Sequence, residues 1–283
     1  MQLKPFIEIT RPHNCILAGI VGVLGSMVAI GTYPPWIKAL LTFLVVSLGC
    51  SGGNTINDYF DYEIDKINRP TRPLPRGAMT REAALIYAFF LFLVGLLLAY
   101  TINRYAFFVA SMAYALMVLY AWKLKPLPFI GNIVVAFLTG ITPIYGALAV
   151  EKIGFSGYLA LSAFLVNVAR EVMKDMEDIE GDKAKGARTL PIILGHRNAA
   201  YIAAFFTLLT VISSFLPLMV GIGMGYVPIL LVDLILLKAM WDILKDPSPS
   251  TAGKSQKKLK IAILLAVLSF LMGSITSTSE VGL

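Results

Sequence analysis

Two polar segments, NTINDYFDYEID at residues 54–65 and EVMKDMEDIEGD at residues 171–182, interrupt an otherwise apolar chain. Both segments carry aspartates at the same offsets: Asp58, Asp61 and Asp65 in the first, then Asp175, Asp178 and Asp182 in the second. A basic, proline-bounded stretch follows each of them, at residues 66–75 and 183–191. This internal repeat, with matching positions 117 residues apart, predicts a chain built from two related halves.

The polar positions of each segment fall on one side of a helix. Asn54, Asn57, Asp58, Asp61 and Asp65 stand at offsets 0, 3, 4, 7 and 11, which form one stripe on a helix that turns 100° per residue. The second segment has the same offsets, starting from Glu171, until its glycine loosens the helix. Each segment therefore predicts a helix that presents one row of polar side chains.

The composition around these segments is that of a membrane protein. Of 283 residues, 57% are apolar and 14% are charged, whereas soluble domains average about 25% charged residues. Apolar runs near 18 residues predict transmembrane helices. We therefore predict an all-α polytopic membrane protein with a single domain, residues 1–283. Its nine spans would be 14–31, 36–57, 83–101, 105–121, 129–150, 157–176, 199–220, 226–243 and 260–277, with spans 1–4 and 5–8 as the two halves.

The distribution of basic residues predicts the orientation in the cell membrane. With the N-terminus in the cytoplasm, nineteen Lys and Arg residues lie on the cytoplasmic side, and only Lys38, Arg104 and Lys152 lie on the other. Such an excess is typical of cytoplasmic loops. Both carboxylate stripes would then meet across a cavity open to the cytoplasmic face. The net charge of +7 suits anionic lipid or a phosphorylated substrate and does not call for nucleic acid.

Six aspartates at one membrane face indicate a bound cation, because clustered carboxylates repel one another when no cation joins them. Oxygen ligands favour hard cations, and Mg²⁺ is typically held by a few carboxylates together with phosphate oxygens of a substrate. The neighbouring Arg and Lys side chains match phosphate well. Acidic and basic residues at one place therefore indicate a magnesium-bridged diphosphate.

The two motifs, Asn57-Asp58-x-x-Asp61-x-x-x-Asp65 and Asp175-x-x-Asp178-x-x-x-Asp182, resemble the aspartate-rich motifs of UbiA-type intramembrane prenyltransferases. The resemblance covers nearly the whole chain. It implies nine transmembrane helices around a central cavity, two Mg²⁺ ions and an allylic prenyl diphosphate as donor. It also implies that Asn57, Asp61 and Asp65 hold one metal ion and that Asp178 and Asp182 hold the other.

The same resemblance implies further roles. Asp58 and Asp175 would ligate metal or orient its ligands, and the catalytic carboxylates would be Asp61, Asp65, Asp178 and Asp182. The residues expected to bind the diphosphate are Arg69, Arg72, Lys123, Lys125, Lys183 and Arg188. From their positions near the cytoplasmic ends of spans, Arg11, Asn14 and Arg170 are candidates to bind the phosphate of the acceptor. Arg170 suits an ion pair or an interfacial anchor equally well, and Asn14 suits a hydrogen bond to a neighbouring helix equally well.

Within the family, the stretches 9–19, 57–70 and 169–178 are most similar to the archaeal members that build ether lipids. This similarity implies transfer of a geranylgeranyl group to the hydroxyl of geranylgeranylglyceryl phosphate. An aromatic or chlorin acceptor is the alternative, because other members share much of the first motif. A cation-coupled transporter is a more distant one, since transporter sites usually lie near the bilayer midplane. The sequence leaves the oligomeric state open.

Asp233 lies in the middle of the predicted eighth span. A carboxylate inside a membrane is costly and often functional. Lys238 is five residues further on, a spacing that fits an ion pair on a helix poorly. A functional and a structural role both stay open for Asp233.

Overall fold

The chain folds into a bundle of α-helices. The computed structural model describes residues 3–184 and 186–277, so Lys185 of the second basic stretch lies outside the described residues. Within them no β-strand occurs. The helices are α1 (Lys4–Thr10), α2 (Pro12–Ile30), α3 (Trp36–Phe60), α4 (Tyr62–Asn68), α5 (Arg81–Ile102), α6 (Arg104–Leu119), α7 (Ile130–Ala149), α8 (Ser156–Glu177), α9 (Ile179–Ala184), α10 (Leu190–Ser214), α11 (Leu216–Met219), α12 (Ile229–Lys245) and α13 (Pro249–Ile275), with a π-helix at Tyr120–Leu124 and a 3₁₀ turn at Met224–Tyr226.

In the described part of the chain, each of the nine predicted spans coincides with a long helix, from α2 for the first to α13 for the ninth. Seven of these helices are long and apolar enough to cross a membrane. The other two are α8, whose last two turns are highly charged, and α12, which has 17 residues. The all-helical architecture is therefore confirmed, together with several apolar helices of membrane-spanning length.

Two helices, α10 and α13, begin far earlier than their predicted spans. The ninth span was expected from residue 260, but α13 starts at Pro249 because the Ser248 side chain accepts a hydrogen bond from the Thr251 backbone and caps the helix. Lys254 and Lys257 are exposed on this extension, while Ala252, Ser255 and Leu259 are buried. Helix α10 begins at Leu190 and bends at residue 195, where a glycine adopts φ 79°.

Two apolar cores hold the long helices together. One lies between α8, α10, α12 and α13, where the rings of Tyr226 and Phe270 meet with their centroids 4.8 Å apart. The other lies between α3, α5, α6 and α7, where Tyr114 packs against Phe92 and donates a 2.6 Å hydrogen bond to the Val45 carbonyl. Packing of α7 against both α2 and α8 connects the two regions.

Helices α2 and α7 cross with their backbones almost in contact. A Cβ atom on Gly146 would lie 1.8 Å from the Gly22 carbonyl oxygen, and one on Gly25 would lie 2.4 Å from the Pro143 carbonyl oxygen. Small residues at such crossings let membrane helices approach closely. The distance between α2 and α7 therefore depends on these glycines.

We expect Gly146→Ala to destabilise the protein by about 1–3 kcal/mol, the usual cost of inserting a methyl group where there is no space. The clash is with backbone, so no side-chain rotation relieves it. Thermal unfolding in detergent measures the effect. Gly157→Ala is the matched control, because its Cβ would meet only the Ile153 side chain, at 3.3 Å. Equal unfolding temperatures for the two variants would contradict this account of the crossing.

Candidate active site

The first aspartate motif lies at the junction of α3 and α4. Helix α3 ends at Phe60, Asp61 breaks the regular geometry with ψ near 2°, and α4 resumes at Tyr62. The stripe therefore continues across two helices instead of one. Asp58, Asp61 and Asp65 are all buried, at 9% exposure or less. Carboxylates buried this deeply are stable only when paired or hydrogen-bonded.

Two arginines neutralise the buried Asp58 and Asp65. Arg72, from the connection between α4 and α5, lies 3.0 Å from Asp58 and 2.5 Å from Asp65. Arg11 binds Asp58 from the junction of α1 and α2. Arg11 has a left-handed backbone conformation (φ 53°, ψ 66°) that non-glycine residues rarely adopt. Strain of this kind persists where surrounding contacts hold it, often at functional sites.

The third aspartate, Asp61, is paired with Lys125. The Lys125 ammonium also lies 3.4 Å from the Asn57 side-chain oxygen, so one cation joins two oxygen ligands of the stripe. Lys125 follows the π-helix Tyr120–Leu124, and π-helical turns are frequent at functional sites. Four residues later, Phe129 has φ 64°, a strained conformation for an aromatic residue. The backbone that carries Lys125 is therefore irregular on both sides of this lysine.

A small cluster holds the connection that carries Arg72. Ile9 of α1, Leu74 and Met79 are buried together in it. On the surface, the Arg76 guanidinium donates to both oxygens of Glu8, at 2.8 and 2.6 Å. These hydrogen bonds lower the pKa of Glu8 below its ordinary value. Helix α1 and the α4–α5 connection thus fix each other beside the stripe.

The second aspartate motif has the same break. Helix α8 ends at Glu177, Asp178 has ψ near 5°, and α9 begins at Ile179. Asp175 is partly buried and accepts a 2.8 Å hydrogen bond from the Asn132 amide. Asp178 is exposed and Asp182 is half-buried. The second motif is therefore more open than the first.

Tyr120 interacts electrostatically with carboxylates of both motifs. The Tyr120 hydroxyl lies within electrostatic reach of Asp61 in the first motif and of Glu171 and Asp175 in the second. Tyr120 is therefore near enough to both stripes for their charges to act on its hydroxyl. That the two stripes meet stays a prediction, which this electrostatic interaction supports.

The residues predicted to bind the two substrates lie in different surroundings. Of those expected to bind diphosphate, Arg72 and Lys125 contact the first motif, and four others are exposed: Arg69, Lys123, Lys183 and Arg188. Of those expected to bind the acceptor, Arg11 contacts Asp58 and Arg170 is paired with Glu171. Asn14 is exposed in the first turn of α2. The structure thus gathers Arg11, Arg72 and Lys125 at the carboxylates.

Asn132, a polar residue near the start of a predicted span that suited either a neighbouring helix or the substrate, joins the site. It lies in the first turn of α7 and donates to Asp175. The internal repeat relates Asn132 to a position near the first motif. Position 132 follows Cys15 by 117 residues, and the start of α2, where Cys15 lies, also contacts the first motif through Arg11.

The chemistry of these side chains fits a hard divalent cation. All the candidate ligands are carboxylate or amide oxygens, which Mg²⁺ prefers. The convergence of Asn57 and Asp61 on one ammonium group indicates a place suited to a positive charge. Within residues 3–184 and 186–277, no three Asp, Glu, His or Cys side chains are close enough to hold an ion by themselves. In this structure Arg11, Arg72 and Lys125 balance the negative charge of the first motif.

Residues 18–264, most of the chain, match the UbiA prenyltransferase family. The chain belongs to the UbiA prenyltransferase family. It is accordingly a prenyltransferase, and with its long apolar helices it is a multi-pass membrane protein. The resemblance seen in the two aspartate motifs is confirmed.

Relatives of nearly the same length are named digeranylgeranylglyceryl phosphate synthase. The protein of Thermococcus gammatolerans is 64% identical, with 97% of this chain and 100% of the relative covered. That of Pyrococcus furiosus is also 64% identical, covering 98% and 99%. The protein of Methanothermobacter thermautotrophicus is 38% identical over 99% of this chain and all of its own length.

Solved structures share the fold. A structure of a digeranylgeranylglyceryl phosphate synthase is 38% identical, with a TM-score of 0.89 over 96% of this chain and 98% of its own. A UbiA homologue from Archaeoglobus fulgidus, bound to DMAPP and Mg²⁺, is 18% identical, with a TM-score of 0.72 over 95% and 98% of the chains. The helical bundle is thus that of the UbiA fold.

We expect Arg72→Gln to lower the free energy of unfolding by about 3 kcal/mol, because it leaves buried Asp65 without a cation. Thermal unfolding in EDTA measures the loss. Arg76→Gln is the control, since its exposed pair with Glu8 contributes at most about 1 kcal/mol. If the two variants unfold at the same temperature, Arg72 does not stabilise the buried carboxylates.

Proposed function

We propose that this protein transfers a geranylgeranyl group from geranylgeranyl diphosphate to the free hydroxyl of geranylgeranylglyceryl phosphate. The product carries the second ether bond of an archaeal membrane lipid. The observation that carries the proposal is the pair of aspartate motifs around Tyr120, in a chain 64% identical over nearly its whole length to proteins named digeranylgeranylglyceryl phosphate synthase. An aromatic or chlorin acceptor has no comparable support.

We further propose nine membrane spans in a single domain, residues 1–283, with two related halves around a cavity open to the cytoplasm. Nine long helices of the described chain at the expected positions support this arrangement, although α8 and α12 are less apolar or shorter than the rest. The equivalent breaks at Asp61 and Asp178 support the relation between the halves. The excess of Lys and Arg supports a cytoplasmic N-terminus and active site in the cell membrane.

We assign two Mg²⁺ ions to the site. Asn57, Asp61 and Asp65 would hold one, and Asp178 and Asp182 would hold the other, with Asp58 and Asp175 as further ligands or as groups that orient them. The Archaeoglobus homologue of the same fold, which binds DMAPP and Mg²⁺, supports a divalent cation. When bound, Mg²⁺ supplies positive charge that stabilises a departing diphosphate.

The chain's own cations would hold the diphosphate donor. Lys125 and Arg72 reach the stripe from separate elements, so each can exchange a carboxylate for a phosphate oxygen without a change in the fold. The exposed side chains of Arg69, Lys123, Lys183 and Arg188 can approach the same anion from the surface. Preorganised cations stabilise the charge that develops on the leaving oxygen.

In the reaction, the bond between the allylic carbon and the diphosphate oxygen breaks, and the acceptor hydroxyl forms the new ether bond to that carbon. The hydroxyl proton passes to an oxygen of the departing diphosphate. The apolar helices around the prenyl chain exclude water that would otherwise capture the allylic cation. Arg11, Asn14 and Arg170 are the residues we assign to the phosphate of the acceptor.

We expect Asp178→Asn to reduce prenyl transfer at least about 100-fold, the usual loss when a group that stabilises leaving-group charge is removed. Asp178 is exposed, so the variant should unfold at the wild-type temperature. Turnover of labelled geranylgeranyl diphosphate with Mg²⁺ measures the loss. The control is Glu63→Gln in α4, which follows the break in the first motif. The Glu63 side chain is 72% exposed and pairs with Lys66. Near wild-type activity of Asp178→Asn would refute the metal assignment.

Parallel assays with different acceptors test the identity of the acceptor. Purified protein receives labelled geranylgeranyl diphosphate, Mg²⁺ and, in parallel, geranylgeranylglyceryl phosphate, hydroxybenzoate or a chlorin acid. We expect label only in the glyceryl phosphate product, and EDTA should abolish its formation. Labelling of an aromatic acceptor alone would refute the proposed acceptor. Because detergent leaves no sealed membrane, turnover also separates an enzyme from a transporter.

A further inference from the structure

The carboxylates of the two aspartate motifs are held in different ways. In the first motif they are buried and paired with basic side chains. In the second motif, Asp178 is exposed and Asp182 is half-buried. Asp182 lies in α9, a helix of six residues whose buried side chain is Ile179. The positions of Asp178 and Asp182 therefore depend on how the chain is held just before them, at the end of α8.

Glu177, the last residue of α8 and the neighbour of Asp178, is held by α13. The Gln256 amide donates a 3.1 Å hydrogen bond to Glu177 Oε2. The other carboxylate oxygen lies close to the backbone of Gly253, where a Cβ atom would be 2.5 Å from Oε1. Gly253 and Gln256 are three residues apart, so they lie on the same face of α13. The half-buried Glu177 side chain thus contacts α13 through both of its oxygens.

The part of α13 that makes this contact is firmly anchored. It belongs to the early extension of the helix, which begins behind a cap from Ser248. Ala252 and Leu259, before and after the contact, are buried in the same apolar core as Met176 of α8. Met176 directly precedes Glu177. Because close-packed interiors deform little, α13 fixes the position of the last turn of α8.

The backbone at Asp178 determines the direction in which α9 leaves α8. Its N–H donates a 2.9 Å hydrogen bond to the Lys174 carbonyl, and its own carbonyl accepts a 3.0 Å hydrogen bond from the Asp182 N–H. Between these two bonds the chain departs from helical geometry, with ψ near 5°. A shift of the backbone at Glu177 would therefore change the separation of the Asp178 and Asp182 carboxylates. Binding groups must be held within about 0.5 Å of their working geometry.

We propose that Gln256 and Gly253 are positioning residues for the second metal ion. By holding Glu177, they fix the break between α8 and α9 and so the separation of the two carboxylates that follow it. The inference rests on the proposed function, in which Asp178 and Asp182 hold one Mg²⁺ ion. Groups that orient metal ligands commonly change metal affinity about 10- to 100-fold when they are removed.

Manganese binding to the full-length protein in detergent tests this role, with the electron paramagnetic resonance signal of free Mn²⁺ as the readout. We expect Gln256→Leu to weaken the affinity for one of two ions about tenfold and to leave the other affinity unchanged. In the prenyl-transfer assay, the KM for Mg²⁺ should rise by the same factor. The kcat at saturating Mg²⁺ should stay within about twofold of wild type, because the loss concerns binding of the ion.

Lys257→Leu is the matched control, since it places the same side chain at the next position, on the exposed side of α13. It removes a positive charge, which can only favour a cation nearby. Its affinity for Mn²⁺ should therefore equal or exceed that of wild type. Equal affinities for Mn²⁺ in Gln256→Leu and Lys257→Leu would overturn the proposal.

Two charged substitutions separate positioning from simple electrostatic attraction. Gln256→Lys keeps a donor toward Glu177 and should retain the affinity for Mn²⁺, whereas Gln256→Glu repels that carboxylate and should weaken binding. Attraction between the new charge and the metal ion predicts the opposite order, because glutamate would favour a cation and lysine would disfavour it. Binding by Gln256→Glu as tight as, or tighter than, that by Gln256→Lys would overturn the proposal.

Gly253→Ala tests the same contact without altering Gln256. Alanine is a better helix former than glycine, so α13 persists, but the new methyl group displaces the Glu177 carboxylate. We expect the loss of affinity seen for Gln256→Leu. In a Glu177→Ala background neither substitution should have a further effect, because the carboxylate on which both act is gone. Losses that multiply in that background would overturn the proposal.

The wild-type protein distinguishes failure of this role from failure of the proposed function. If it binds no Mn²⁺, the metal site itself is refuted, and the positioning role with it. If it binds two ions and both Gln256→Leu and Gly253→Ala bind them with unchanged affinity, the metal site stands and the positioning role alone is overturned.

Discussion

Three buried carboxylates need positively charged partners, and this requirement constrains how the surrounding end of the molecule folds. Asp58, Asp61 and Asp65 lie on one stripe, and each would cost several kcal/mol if it were buried without a cation. Their partners come from three separate elements, namely the α1–α2 junction, the α4–α5 connection and the segment after the π-helix. These ion pairs therefore fix how those elements lie against α3.

The same pairs connect stability with function. Under the proposed function, a side chain that neutralises a carboxylate in the described structure is also a cation placed to bind the diphosphate. The site is then preorganised, because binding of an anionic donor exchanges one negative partner for another and does not require charges to be assembled from water. The irregular backbone at Arg11 and Phe129 is consistent with this view, since strain of this kind is kept where function requires it.

Much of the fold followed from the sequence, and the particular contacts did not. Apolar runs located the long helices of the described chain, most of them within a few residues, although α10 and α13 begin well before their predicted spans. The spacing of the aspartates predicted that they share a stripe. The breaks at Asp61 and Asp178 were not predicted, because periodicity cannot distinguish a continuous helix from one interrupted for a single residue. The early start of α13 depends on a cap at Ser248, which hydropathy does not detect.

Pairing between charges was the least predictable feature. Arg11 was expected to bind the acceptor, and the structure places it on Asp58, while Lys125 rather than its neighbour Lys123 reaches Asp61. The π-helix determines which of these two lysines faces the stripe, and no local sequence pattern predicted a π-helix there. The hydrogen bond from Asn132 to Asp175 depends on the packing of α7 beside α8, which the sequence pattern did not specify.

The most direct measurement of the central claim is a crystal structure with a non-reactive geranylgeranyl diphosphate analogue and Mn²⁺ in place of Mg²⁺, with anomalous scattering locating the metal. The account predicts manganese bound by Asn57, Asp61 and Asp65, and Lys125 moved from Asp61 to a phosphate oxygen. Manganese remote from both aspartate motifs, or a diphosphate bound with Lys125 still on Asp61, would contradict it.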